Sequence, residues 1–454
     1  MKKSHRLRNL LIAMPILAII IVFLFSAISG YIKAKPKLQY TFNQSNKVNT
    51  VAYPNAKFAV ISDLHYYENA LGTSGTAFEN VLKADRKLLK DSADLLNLAI
   101  DNIIKSNVKF LLVSGDLTKD GELVCHQDVA KSLSRLTQSG IKVYVVPGNH
   151  DVNNPLSYKY EGDKSSKVPD ITASQFADIY KDCGYVSAVY RDTNSLSYVA
   201  EPVNNLWIVA LDTCRYEENK PGEEEIVSGK LSQEEENWLT NILKKANENN
   251  KAVIILGHHG LVEHWEGQSK LHPDYLLQDY KYVGKLLASY GVRLAFTGHY
   301  HAQDIALASF DNGGSLYDVE TGSLITAPCA VRYCALDGNK IEINSDFLVD
   351  KLHPNTNFAK DANEFVFNTV EAEAYKTLRK YYVSEKDAKT IANYVSAGFV
   401  EHYKGDENIK DRPDFDVNKL SLWSRIIYSQ EKYVVNGLWK DSPPKDNNVT
   451  LILN

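Results

Sequence analysis

The chain has 454 residues, 44% of them apolar and 24% charged, with 24 Gly and 14 Pro. That balance excludes a collagen, a coiled coil and a largely disordered chain, and it leaves room for a large core. The formal charge is −5, and because Lys2, Lys3, Arg6 and Arg8 stand in a stretch without acids, residues 33–454 carry about −9. An acidic body disfavours nucleic acid as the main partner, since phosphate contacts need clustered Lys and Arg.

In chain order, the first feature is Asn9–Ile32, 24 residues without a charge. A helix of about 20 apolar residues spans the hydrocarbon core, and four basic residues ahead of it favour a cytoplasmic amino terminus. The reading is a membrane anchor over residues 1–35, with a cleaved secretory signal ending near Ala27-Ile28-Ser29 as the alternative. Either places the remainder outside the cytoplasm, as a single-pass membrane protein or a secreted one. The five cysteines (125, 183, 214, 329 and 334) are odd in number and irregular in spacing. They read as small buried residues, although Cys329 and Cys334 could pair.

Six short apolar runs come next: 57–62, 109–114, 142–147, 205–211, 252–257 and 293–298. Their β-branched, nearly continuous apolarity predicts strands covered on both faces. Amphipathic stretches at 80–106, 126–138, 231–249 and 276–290 predict helices between them, and Ser232 with Glu235 has capping-box spacing. Alternating strands and helices predict an α/β core over 36–354. Beyond it, Ala362, Val366, Val370, Ala374, Leu378 and Tyr382 recur every four residues. Ser384 with Asp387 begins a further helical stretch, a polar loop covers 405–416, and 418–439 resumes the helical pattern. These features predict a small helical domain over 355–454.

The chemistry lies where the apolar runs end. They lead into Asp63 and His65, into Gly115-Asp116, into Gly148-Asn149-His150-Asp151, into His258-His259, and into His299 and His301. Ligands of open α/β sheets bind at the carboxyl ends of the strands. Of 12 histidines, six fall in these stretches, which chance would scatter. Imidazole nitrogen with Asp and Asn oxygen, and no thiolate, suits Mn, Fe, Zn or Co. There are too many donors for one ion. Two ions sharing a bridging carboxylate can clamp the attacking and leaving oxygens of an in-line displacement and supply hydroxide near neutral pH, as phosphate ester hydrolysis needs.

The blocks D63-L-H65, G115-D116, G148-N149-H150-D151, G257-H258 and G298-H299-Y300-H301 resemble, in order, those of the calcineurin-like metallophosphoesterase superfamily. The resemblance covers roughly residues 55–350. It implies a β-sandwich flanked by helices and two divalent ions, Mn²⁺ foremost. Asp63, His65 and His301 then match ligands of the first ion, Asn149, His258 and His299 those of the second, and Asp116 the bridge. His150 matches the family's non-ligand histidine, which stabilises charge or protonates the leaving oxygen, with Asp151 expected to orient it. Gly115, Gly148 and Gly298 are expected to allow tight turns. His259 is open between a supporting and a functional role. Asp212 reads as a cap or a structural hydrogen-bond partner, and His264, His272 and Tyr300 as surface or packing residues, with a place on the substrate face as the alternative. Loops 66–90, 154–172 and 260–274 stand where a pocket would be built.

The implied function is a phosphodiesterase of small substrates, since GNHDVNNP resembles cyclic-nucleotide phosphodiesterases and related sphingomyelinase-like members. Two alternatives stand beside it: a phosphomonoesterase or lipid or cell-envelope phosphoesterase with the same ions, and a non-catalytic metal-binding surface protein.

Overall fold

The computed structural model describes residues 51–441 and 443–453. The uncharged run Asn9–Ile32 lies outside the described residues, and among those described no helix is long and apolar enough to cross a membrane.

Fifteen strands are described: β1 (Tyr53–Ile61), β2 (Phe110–Val113), β3 (Lys142–Val145), β4 (Tyr158–Glu161), β5 (Lys164–Lys167), β6 (Tyr190–Arg191), β7 (Tyr198–Val203), β8 (Leu206–Ala210), β9 (Ala252–Leu256), β10 (Leu294–Thr297), β11 (Asp304–Ser309), β12 (Ser315–Glu320), β13 (Ala330–Gly338), β14 (Lys340–Phe347) and β15 (Asn448–Ile452). They form a six-stranded sheet ordered β15-β14-β13-β1-β2-β3, a seven-stranded sheet ordered β11-β12-β10-β9-β8-β7-β6, and the small hairpin β4-β5. All six apolar runs are strands. They split into two parallel trios, β1-β2-β3 in one sheet and β8-β9-β10 in the other.

The two sheets share one core. Phe58 of β1 stacks on Phe110 of β2 with ring centroids 4.8 Å apart, and meets Phe296 of β10 edge-on at 5.4 Å. Tyr53 hydroxyl donates to the Val253 carbonyl of β9 at 3.0 Å. Every residue of β2, β8, β9 and β10 is buried, which is why these runs lack the polar alternation of a half-exposed strand. The five cysteines are buried and unpaired.

Parallel register decides where the chemistry falls. Ile61 lies beside Val113 and Val113 beside Val145, while Ala210 lies beside Leu256. Strands aligned in this way release their following loops at one end of the sandwich. A parallel bridge between Ser62 and Ser323 ties the loop after β1 to the segment after β12.

Helices cover the sheets largely where the periodicity predicts. Gln233–Glu248 carries the capping box, with Ser232 Oγ accepting from Glu235 N and Glu235 Oε2 from Ser232 N. The predicted helix over 80–106 is instead two, Thr76–Ala84 and Ser92–Lys105. Asp85 is extended between them, and Leu88 N donates to the Ile325 carbonyl at 2.7 Å, so the break is pinned to the loop after β12. The carboxyl-terminal region is helical over Phe358–Lys380, Glu385–Lys404 and Leu422–Leu438. It is not helical throughout, as the periodicity had suggested. β15 pairs with β14 and closes an edge of the first sheet, with its Leu451 buried.

Candidate functional site

The loops that leave β1 and β2 are laced together. Asp63 N donates to the Gly115 carbonyl at 3.1 Å, His65 N to that of Asp116 at 2.9 Å, and Tyr66 N to that of Leu117 at 3.1 Å. These bonds continue the strand pairing past the last regular residue, so Asp63, His65 and Asp116 share one rim. The second sheet joins through His299 N, which lies 3.0 Å from Asp63 Oδ2, while within that sheet Gly298 N donates to the His258 carbonyl and ties its two loops together.

Close approach explains the glycines. Gly115 has φ +90°, and a Cβ there would lie 2.6 Å from His258 Nδ1. At Gly148 and Gly298 the reason is crowding rather than turning. A Cβ would lie 2.0 Å from Asp116 Oδ1 in the first case and 1.9 Å from Ser62 Oγ in the second. Asp63, His65, Asp116, His299 and His301 all have positive φ, between 35° and 75°. Left-handed backbone at a non-glycine residue is unfavourable, and such residues gather at functional sites.

All seven expected ligand residues converge. Ligand atoms of Asp63, His65 and His301 lie within 4.8 Å of one another, as do those of Asp116, His258 and His299. His65 Nε2 is 3.1 Å from His301 Nε2 and 3.5 Å from Asp116 Oδ2. His258 Nε2 is 3.4 Å from that same Oδ2 and 3.1 Å from Asn149 Oδ1. One oxygen of Asp116 thus faces both groups, the placement a bridging carboxylate requires.

The donor chemistry fits cations. His258 Nδ1 lies 2.7 Å from the Ser114 carbonyl, which can only accept, so this nitrogen carries the proton. In the neutral ring the Nε2 lone pair then points at oxygens that are also acceptors, and a cation between them resolves the conflict. Burial lowers the His258 ring's proton affinity, but the Asp116 carboxylate outweighs it and carries the value up to about 9. Burial, then the Lys87 ammonium, holds His65 well below the ordinary range, and burial with the His259 and His258 rings does the same to His299. Neutral imidazoles are what metal ligation needs. Burial would lift Asp116, but the His258, His150 and His65 rings hold its carboxyl well below the usual range.

His150 sits at the rim with its ring edge-on to His65, centroids 4.9 Å apart. Its Nε2 is 4.0 Å from Asp116 Oδ2 and 3.7 Å from Glu225 Oε1. Its orienting carboxylate is Asp120, which accepts from Nδ1 at 2.8 Å, and not Asp151 as adjacency in the sequence suggested. Asp151 points the other way and accepts from the backbone N–H groups of Gly148, Leu117 and Thr118, at 2.8, 3.0 and 2.9 Å, and from the Thr118 hydroxyl. It ties the loop after β3 to the loop after β2. Burial and Lys87 pull the His150 value down, but Asp116, Asp120 and Glu225 prevail and raise it to about 9. Asp120 is itself held by the Lys119 ammonium. Sequence reasoning missed Asp120 and Glu225. Asp120 had a usable signal, a second carboxylate four residues after Asp116 in the same loop; Glu225 had none, in a run of three acids.

The remaining candidates take supporting places. His259 has both ring nitrogens engaged, with Thr213 Oγ1 at 2.7 Å and the Val227 carbonyl at 2.9 Å. Asp212 accepts from Leu196 N, Cys214 N and the Tyr216 hydroxyl. His264 is buried against Asp304, at 2.7 Å. An aromatic series leads away from the rim: Tyr275 lies 4.6 Å from the His299 ring and 4.9 Å from Tyr300, which meets His272 at 5.7 Å and His402 at 5.8 Å. Arg86, in the break between helices, donates to the Tyr403 hydroxyl at 2.7 Å, so the carboxyl-terminal helices reach a loop that borders the rim.

A family model described as calcineurin-like phosphoesterase matches residues 56–303. Among solved structures, the fold is similar to a dimetal phosphatase from Danio rerio, at 16% identity over 65% of this chain and 97% of that one, TM-score 0.45. It is also similar to a purple acid phosphatase from yellow lupin seeds (Lupinus luteus), at 11% identity over 66% and 52% of the two chains, TM-score 0.42. A third is a sulfate thiohydrolase, SoxB, from Thermus thermophilus, at 13% identity over 73% and 61%, TM-score 0.36. No curated protein matches the chain.

Proposed function

The chain belongs to the calcineurin-like phosphoesterase family, a hydrolase family of two divalent ions, and on that premise we propose that it cleaves small phosphodiesters. Asp63, His65 and His301 would hold one ion and Asn149, His258 and His299 the other, with Asp116 facing both groups. When bound, the ions supply the nucleophile and neutralise phosphoryl charge. Mn²⁺ is the proposed native choice, in keeping with the nitrogen and oxygen donors.

The observation that carries the diester reading is His150. It clusters with His65 and Asp116, and a buried carboxylate holds its Nδ1 at 2.8 Å while its Nε2 faces the rim. In the imidazolium form that Asp116, Asp120 and Glu225 favour, Nδ1–H is donated to Asp120 and Nε2–H is the proton available to the leaving oxygen. An alkoxide leaving group needs that proton more than the leaving groups of activated esters do. Lys119 fixes Asp120, and Asp120 fixes the ring. Tyr275, against His299, offers an aromatic face beside the rim on which the organic part of a substrate can rest.

The test is hydrolysis by the full-length protein loaded with Mn²⁺, comparing bis-p-nitrophenyl phosphate with p-nitrophenyl phosphate and with a cyclic nucleotide. Faster diester turnover is the expected result. Preference for the monoester favours the monoesterase reading, and no hydrolysis of any ester by protein of verified metal content overturns the proposal.

We further propose that Asn9–Ile32 anchors the protein with its phosphoesterase region outside the cytoplasm, a reading supported by the uncharged run and the basic residues before it. Protease added to intact cells should remove that region, and its full protection would overturn the placement.

A further inference from the structure

A second group of histidine and carboxylate side chains lies away from the rim, where the carboxyl-terminal helices meet the second sheet. Asp304 opens β11, His402 stands in the last turn of the helix Glu385–Lys404, and Glu407 lies in the next loop. One ligand atom from each falls within 4.8 Å of the other two, and all three residues are buried. His402 Nδ1 hydrogen-bonds Glu407 Oε1 and lies 3.9 Å from Asp304 Oδ2. Asp304 is set in place by His264, whose Nδ1 is 2.7 Å from the other oxygen, Oδ1.

Glu320, Asp318 and Asp446 are buried beside this group together with His264 and one guanidinium, and burial above all pushes Glu320 up to about 8 and Asp446 up to about 9. That guanidinium, Arg332, is fully buried, but its hydrogen bonds go to the carbonyls of Glu320 and Asp446 and to the Ser345 hydroxyl rather than to any carboxylate. Two buried atoms in the group itself, Glu407 Oε2 and His402 Nε2, have no hydrogen-bond partner. Hydrogen bonding within the group leaves Glu407 Oε2 without a donor whichever nitrogen of His402 carries the proton. A buried carboxylate oxygen without a partner is unfavourable, and a divalent ion supplies the contact it lacks.

We infer that Asp304, His402 and Glu407 form an additional cation site, one that takes a single divalent ion of the class bound by mixed nitrogen and oxygen donors, Zn²⁺ or Mn²⁺. An imidazole among two carboxylates selects that class over Ca²⁺, which takes oxygen alone. The ion fastens the end of the helix to the first residue of β11. The tail is tied to the same place, since Asp446 accepts from Ile305 N at 2.8 Å and from Asp406 N at 2.7 Å on its way into β15.

The experiment counts ions on the full chain after loading with Zn²⁺ or Mn²⁺ and removal of free metal. Wild type should hold one ion more than Glu407→Gln or Asp304→Asn, and chelation should lower the thermal midpoint of wild type more than that of either variant. If those variants do not fold, a chain with the rim disabled by Asp63→Asn and His258→Asn decides the matter. It should retain one ion, and chelation should still lower its thermal midpoint. Equal ion counts in wild type and Glu407→Gln, or a rim-disabled chain with no ion, overturn the inference. An ion lost with Glu407→Gln in a wild-type rim that binds none would sink the rim reading and leave this one standing.

Discussion

The rim and the Asp304–His402–Glu407 group use the same donor types, yet they are built in different ways. At the rim every ligand residue comes just after a buried parallel strand, and the strands' register delivers the loops to one end of the sandwich. In the second group the donors come from a strand start, a helix end and a loop, Asp304 lying about a hundred residues before His402 and Glu407. The rim is a property of the sheet, whereas the second group exists only once the carboxyl-terminal helices have docked. Ligand chemistry alone therefore does not separate a reaction centre from a fastening. What separates them is the exposure of the additional histidine: His150 is partly open at the rim, whereas His264 on Asp304 is fully enclosed.

Substitutions can break or sharpen this contrast. The largest effect is expected at Asp116, whose Oδ2 faces both ligand groups. Asp116→Asn should lower kcat by more than the roughly 10²–10⁴-fold that loss of a general acid costs, with metal content falling in parallel by elemental analysis. His150→Gln should lower diester kcat by about 10²–10⁴-fold while both rim ions remain; loss of an ion would make His150 a ligand and break the division of roles. Asp120→Asn should lower kcat by about 10–100-fold, the usual scale for a partner of an active-site histidine. Because Asp120 acts through His150, the pH–rate profile should shift as well, and an unchanged profile would reduce Asp120 to a structural role. Asp151→Asn tests the reassignment directly. It should destabilise the fold by about 1–3 kcal/mol in urea titration, since an amide cannot accept from the same three N–H groups without leaving its own donors unmatched. Per folded molecule, turnover should fall less than for Asp120→Asn. The smallest effect is expected at Glu373→Ala, which removes a solvent-exposed partner of Arg86 and should change stability by no more than about 1 kcal/mol.

Much of the rim was legible in the sequence because buried parallel strands announce themselves as apolar runs, and the ligand residues sit within a few positions of each run's end. Three features were not. The carboxylate on His150 was misread because adjacency along the chain is a poor guide to side-chain direction: Asp151 is next to His150 but points to the loop after β2, while Asp120, thirty residues earlier, faces the ring. The strands β13 to β15 escaped because antiparallel strands with one exposed face alternate polar and apolar residues; Lys340–Phe347 carries Glu342, Asn344 and Asp346 among its apolar positions. The second cation group left no local motif, since its residues meet only through packing of the helices against the second sheet.

The left-handed backbone at Asp63, His65, Asp116, His299 and His301 has a bearing on how such a sequence would age. Each of these positions is held in a conformation that Gly adopts without steric cost, and that Asn tolerates about as well as Asp and His do. A duplicated copy of the gene released from its chemical duty would be free to drift toward Gly at those five positions. An inactive descendant should thus betray itself first at the backbone of its old reaction centre, with the strands beneath it unaltered.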